Sequence, residues 1–139
     1  LFVEDLPEKE TTMRLSEAIR LGAMLRPQGI GTLNSSGSCA LGAAGEAIGA
    51  KCPQAMCGIL PLLVARWPRL MSQMVTLPCA CRFDFPFGSA VLHLNDNHRW
   101  TREQIADWVE TIEPQADESQ TAVEVAQPVV AVARTQNFL

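Results

Sequence analysis

Tyrosine is missing altogether, and five Phe and three Trp are all the aromatic residues of the sequence. Positive charge is also scarce: 11 Lys and Arg stand against 15 Asp and Glu, for a net charge of -4. A nucleic-acid-binding surface needs a basic face, and this balance argues against one. No apolar run reaches the length of a membrane span; the longest, residues 58–65, is short and contains Pro61. The N-terminus shows no basic region followed by an apolar run, so no intact secretory signal is expected. Met13 is a candidate natural start, which would make residues 1–12 an added or alternative leader. There is no internal repeat and no complete catalytic constellation.

What is present is one domain's worth of chain, 139 residues, enough to bury roughly two thirds of the surface its unfolded form exposes. Hydrophobic residues make up 47% and charged residues 19%, which places it among ordinary globular proteins. Five cysteines, an odd number, leave at least one thiol unpaired within the chain. That favours a reducing, cytoplasmic compartment.

The best specified stretch runs from Val91 to Ile112. Thr101 and Gln104 have the spacing of a helix capping box, and Trp100 and Ile105 that of a hydrophobic staple. Glu103 suits the positive end of the helix dipole. Ile105, Trp108, Val109 and Ile112 then form one apolar stripe. Upstream, residues 13–26 predict a helix burying Leu15, Ala18, Ile19, Gly22 and Ala23, stopped by Pro27 and Gly29. A Gly/Ser/Asn loop follows, and Ser36 or Ser38 is the expected cap of a second helix over residues 39–48, ended by Gly49. Gly42, Gly45 and Gly49 share a face of it, against which the first helix is expected to pack. Pro53, Pro61 and Pro68 break residues 51–74 into two or three short helices, each proline suiting a first turn. These helices are expected to carry Ile59, Leu60, Leu62, Leu63, Val64, Trp67 and Leu70 into the core. Phe83, Phe85 and Phe87 alternate with strand period, limited by Pro86 to an edge or irregular segment. Residues 90–94 read as a strand, and Glu113-Pro114 reads as the end of regular structure.

Three constellations bear on chemistry. Cys52 and Cys57 (C-x4-C) and Cys79 and Cys81 (C-x-C) offer four thiolates for a tetrahedral zinc ion. Reduced buried thiols or disulfides are the competing readings. Cys39, at a predicted helix start, is a candidate nucleophile, with His93 as base and Asn95 or Asp96 as its orienter. The start of that helix resembles the papain-like peptidases over about four residues, Gly37 to Ala40, without the second cysteine or the aromatic of their fuller signature. Asn95-Asp96-Asn97-His98 lacks the glycine and glutamate of a calcium loop and reads as a polar turn. His93 alone reads as a core or edge histidine.

L-S-E-A-I-R-L-G-A-M-L-R-P-Q, C-A-L-G-A-A and H-L-N-D-x-H-x-W-T-R-E-Q-I-A-D-W-V-E together resemble a group of small bacterial and prophage-borne proteins. The resemblance spans about residues 15–113 and implies a fold unit, with no catalytic residues. Together with the patterning, the expectation is a mainly α, small single-domain helical bundle with a short β strand or hairpin and extended terminal arms. Its parts are an acidic arm (1–12), the helical domain (13–113) and a tail (114–139). Within the tail, Val123, Val125, Val129, Val130 and Val132 have strand composition and suit contact with a neighbouring chain. The expected function is a non-enzymatic interaction or assembly subunit, zinc-stabilised, with a protein partner or a second copy. A cysteine hydrolase is the alternative.

Overall fold

A computed structural model describes residues 13–81 and 83–116. The expectations for the 1–12 arm and for Val123, Val125, Val129, Val130 and Val132 lie outside the described residues. In order, the elements are α1 (Leu15–Ala23), β1 (Leu33–Asn34), β2 (Gly37–Ser38), α2 (Ala40–Ala47), α3 (Met56–Arg66), α4 (Pro68–Met71), β3 (Met74–Thr76), β4 (Asp84–Pro86), α5 (Phe87–Asp96) and α6 (Arg102–Ala116). The protein is mainly α, with two antiparallel two-stranded sheets, β1–β2 and β3–β4. No helix among the described residues is long and apolar enough to cross a membrane.

Of the stripe expected of α1, Leu15, Ala18, Ile19 and Gly22 are buried, and Ala23, the last residue of the helix, is only half-buried. That face lies between α2 and α6. The glycine that permits close crossing is Gly22, because a Cβ there would meet the Ala43 carbonyl oxygen at 1.8 Å. The expected glycine face of α2 works differently. A Cβ on Gly42 would meet the Thr32 carbonyl at 2.3 Å, and one on Gly45 would meet Ile59 at 2.8 Å. Gly49, at φ +114°, serves the stop after the helix. The helix is buried nearly all round, so each side faces a different neighbour.

Its cap also differs from expectation. Cys39 is the N-cap, its sulfur accepting from the Gly42 N–H at 3.3 Å. Ser38 is held in the β1–β2 ladder opposite Leu33, and its hydroxyl accepts from Arg102 at 2.8 Å, so it is not free to cap.

Pro61 stands inside α3, not in a first turn. One continuous helix presents one face, so Ile59 and Leu63 are buried, as are Trp67 and Leu70 beyond it, while Leu62 and Val64 are exposed. Residues 90–94 are helix, not strand. Phe87, Ala90, Val91 and Leu94 are all fully buried at i, i+3, i+4 and i+7, a helical spacing hidden inside an apolar run. Phe87 therefore leaves the strand alternation to open α5, and β4 ends at Pro86.

The start of α6 is as expected. The Thr101 N–H donates to Gln104 Oε1 (2.9 Å), and the Gln104 N–H donates to Thr101 Oγ1 (3.0 Å). Its end is not at Glu113-Pro114, since the helix runs on to Ala116. Proline removes one ladder donor there. Burial of Ile112, together with Glu113 accepting from the Ser16 N–H (2.8 Å) and hydroxyl (2.9 Å), holds the turn in place.

Candidate metal centre

The β3–β4 hairpin and α5 together build a corner. Met74, Val75 and Thr76 pair with Pro86, Phe85 and Asp84, and the Thr76 hydroxyl donates to Asp84 Oδ1 at 2.8 Å. The Leu77 N–H donates to the Phe83 carbonyl at 3.0 Å and closes the base of the loop that carries Cys79 and Cys81. α5 follows β4 without a linker and returns His93 in its last turn and His98 just beyond its end to that loop.

The ligand atoms of Cys79, Cys81, His93 and His98 all lie within 4.8 Å of one another. The Cys81 sulfur is 3.4 Å from His98 Nε2, and the two histidine Nε2 atoms are 3.1 Å apart. A tetrahedral zinc ion with sulfur at about 2.3 Å and nitrogen at about 2.0 Å requires edges of roughly 3.5 Å and 3.3 Å for these pairs. These two spacings suit neighbouring ligands of one small cation, and the 4.8 Å spread of the four atoms would have to tighten for all of them to bind it. The two Nε2 atoms face each other, so with the proton of each neutral ring on Nδ1 both lone pairs could serve a shared cation. The Phe85 ring, 5.5 Å from that of His93, covers one side. Cys79 crowds Cys81 and pushes its thiol above the ordinary range, first through their hydrogen bond and then through burial.

Cys79 and Cys81 therefore meet two histidines, and Cys52 and Cys57 are not members of the cluster. All five cysteines are free thiols. Proximity in sequence groups the four cysteines, whereas the fold groups two of them with two histidines. C-x-C-x11-H-x4-H, read across a hairpin and a helix, is close to the spacing of small two-cysteine, two-histidine zinc units.

Cys39 is fully buried. Burial pushes its thiol up and outweighs the lowering by the Gly42 and Thr32 backbone. His93 is committed to the cysteine–histidine corner. Asn95 is buried with both amide atoms in use. Its Oδ1 accepts from Gln28 Nε2 (3.0 Å) and the Ala40 N–H (3.1 Å), and its Nδ2 donates to the Gly29 carbonyl (2.9 Å) and Asp96 (2.8 Å). Asp96 Oδ1 accepts from the Gly31 N–H at 2.9 Å. The polar turn is thus a staple between loops, with Asn95 bonded to the residue after Cys39, while the Cys39 sulfur is engaged with the Gly42 N–H and shut off from solvent. No protein-family model, curated protein or solved structure matches the chain.

Proposed function

We propose that the protein is a non-catalytic, zinc-stabilised subunit that works by binding another protein chain. The observation that carries this reading is the cluster of Cys79, Cys81, His93 and His98, four potential protein ligands whose ligand atoms lie within 4.8 Å of one another. A catalytic zinc keeps one position for water, whereas four protein ligands make a structural site. Zinc bound there would tie the hairpin loop to the end of α5, and its binding energy would become folding energy for that corner. Thiolate with imidazole favours zinc over the oxygen-seeking magnesium and calcium. The assembly half of the reading is supported by tail composition, with Val123, Val125, Val129, Val130 and Val132 among few charges.

Elemental analysis of the full-length protein is expected to find about one zinc per chain. Cys81→Ser and His98→Ala should each lose it, and Cys57→Ser should keep it. Metal-free protein after purification in zinc, or zinc retained in both ligand variants, would refute the metal site. For assembly, light scattering compares full-length protein with a truncation lacking residues 117–139. The cut must fall after Ala116, because α6 extends that far and Glu113 holds the start of α1. Monomeric mass for each protein, with no partner retained by either, would refute the arm.

A further inference from the structure

We propose that Arg66 and the outer face of α3 are the docking surface for the acidic segment 1–12 of the same chain. The inference is independent of the metal site. Arg66 sits at the C-terminal end of α3 with its guanidinium over the Trp67 ring, 5.3 Å from the centroid. Its Nη2 is buried and has no hydrogen-bond partner among the described residues. A guanidinium N–H withdrawn from water without an acceptor is costly, so the position calls for one. A carboxylate is the best match, because it only accepts and fits the planar fork of arginine.

The chain itself brings carboxylates to this place. Trp67 Nε1 donates to the Met13 carbonyl at 3.1 Å, which fixes the point where segment 1–12 joins the domain beside the residue next to Arg66. The segment holds Glu4, Asp5, Glu8 and Glu10 against a single Lys9. Glu10 and Glu8 lie three and five residues before Met13, within roughly 10–18 Å of extended chain. One turn before Arg66, Leu62 is 41% exposed on the same face of α3. Leu1, Phe2, Val3 and Leu6 supply apolar side chains to cover such a face. Charge, reach and the orphaned donor point to one occupant.

Lys9, the one basic residue of the segment, makes the test direct. Trypsin is added to full-length, zinc-supplemented protein, and cleavage after Lys9 is followed by intact mass. Cleavage of a docked segment tracks the population of its open form. Loss of one charge-assisted bond in Arg66→Gln should therefore speed it by about tenfold. Circular dichroism serves as the folding control. If Arg66→Gln does not fold, Glu8→Gln/Glu10→Gln carries the test, its rate normalised to a free peptide of the same residues. Equal rates in wild type and variant would overturn the proposal. Protection that falls on dilution alongside a dimeric mass would place the segment on a second copy and overturn the assignment to its own chain.

Discussion

At Asn95 four hydrogen bonds converge in a position only 1% exposed, joining α5 to the loop after α1 and to the first turn of α2. A side chain of similar size without polar atoms would strand the Ala40 N–H and the Gly29 carbonyl in the interior. Asn95→Leu is therefore expected to destabilise by about 2–4 kcal/mol, read as a fall in the urea midpoint. A catalytic orienter would instead affect rate with little effect on folding. Arg102 is a second such residue. Although it opens a helix, it is buried and donates to Ser38 Oγ (2.8 Å) and the Arg26 carbonyl (2.8 Å). Burial pulls its guanidinium below the ordinary range. Nothing in the sequence near Arg102 distinguishes it from a solvated first-turn arginine, because its partners are carbonyls and a hydroxyl distant in the chain. Thr101 is the opposite case. Both of its capping bonds are with Gln104, three residues on, so the cap was readable, and Thr101→Ala should cost about 1 kcal/mol in a urea titration.

The same division between local and distant causes operates at the scale of elements. α1 and α6 were legible from their apolar stripes, since each buries one face against a few large neighbours. α5 was not, because Val91 to Leu94 is a short apolar run that either period can fit, and only Phe87 and Ala90 upstream decide for a helix. Misreading it as a strand separated His93 from His98 and hid the cysteine–histidine corner, which depends on a helix end meeting a hairpin loop. The crossing of α1 on α2 shows the same limit. Gly22 looks like one small member of a stripe, whereas Gly42, Gly45 and Gly49 stand out as a shared glycine face although only Gly42 and Gly45 lie within α2. Yet the atom that excludes a side chain at Gly22 is a backbone carbonyl, which cannot turn away as a flexible side chain can. Gly22→Ala should therefore force the two helices apart and cost about 3 kcal/mol or more. Gly45→Ala, which meets the γ2 methyl of Ile59 and not backbone, should cost less. A thermal melt of the two variants orders them, and equal losses would count against this account of the crossing.

For the whole molecule, stability is linked to pH, and among the described residues two carboxyls contribute with opposite signs. Glu113, packed between α6 and the start of α1, is pushed above its ordinary value of 4.5 by burial, which outweighs the Ser16 bonds. The folded state then holds that proton more tightly than the unfolded chain. Its stabilising contribution is present below the unfolded value and is lost as pH rises through the folded one. Glu46 is pulled below 4.5, first by its hydrogen bonds from Arg26. Its contribution is present above the unfolded value and is lost as pH falls through the folded one. Glu113→Gln and Glu46→Gln should therefore diverge from wild type in opposite directions. Between about pH 4 and about pH 7, Glu113→Gln should gain relative to wild type as pH rises, and Glu46→Gln should lose. Urea midpoints of the three zinc-supplemented proteins across that range measure this, and the metal corner, common to all, cancels in the differences. If the two difference curves ran parallel, the buried Glu113 and the bridged Glu46 would not be the groups that couple this fold to protons.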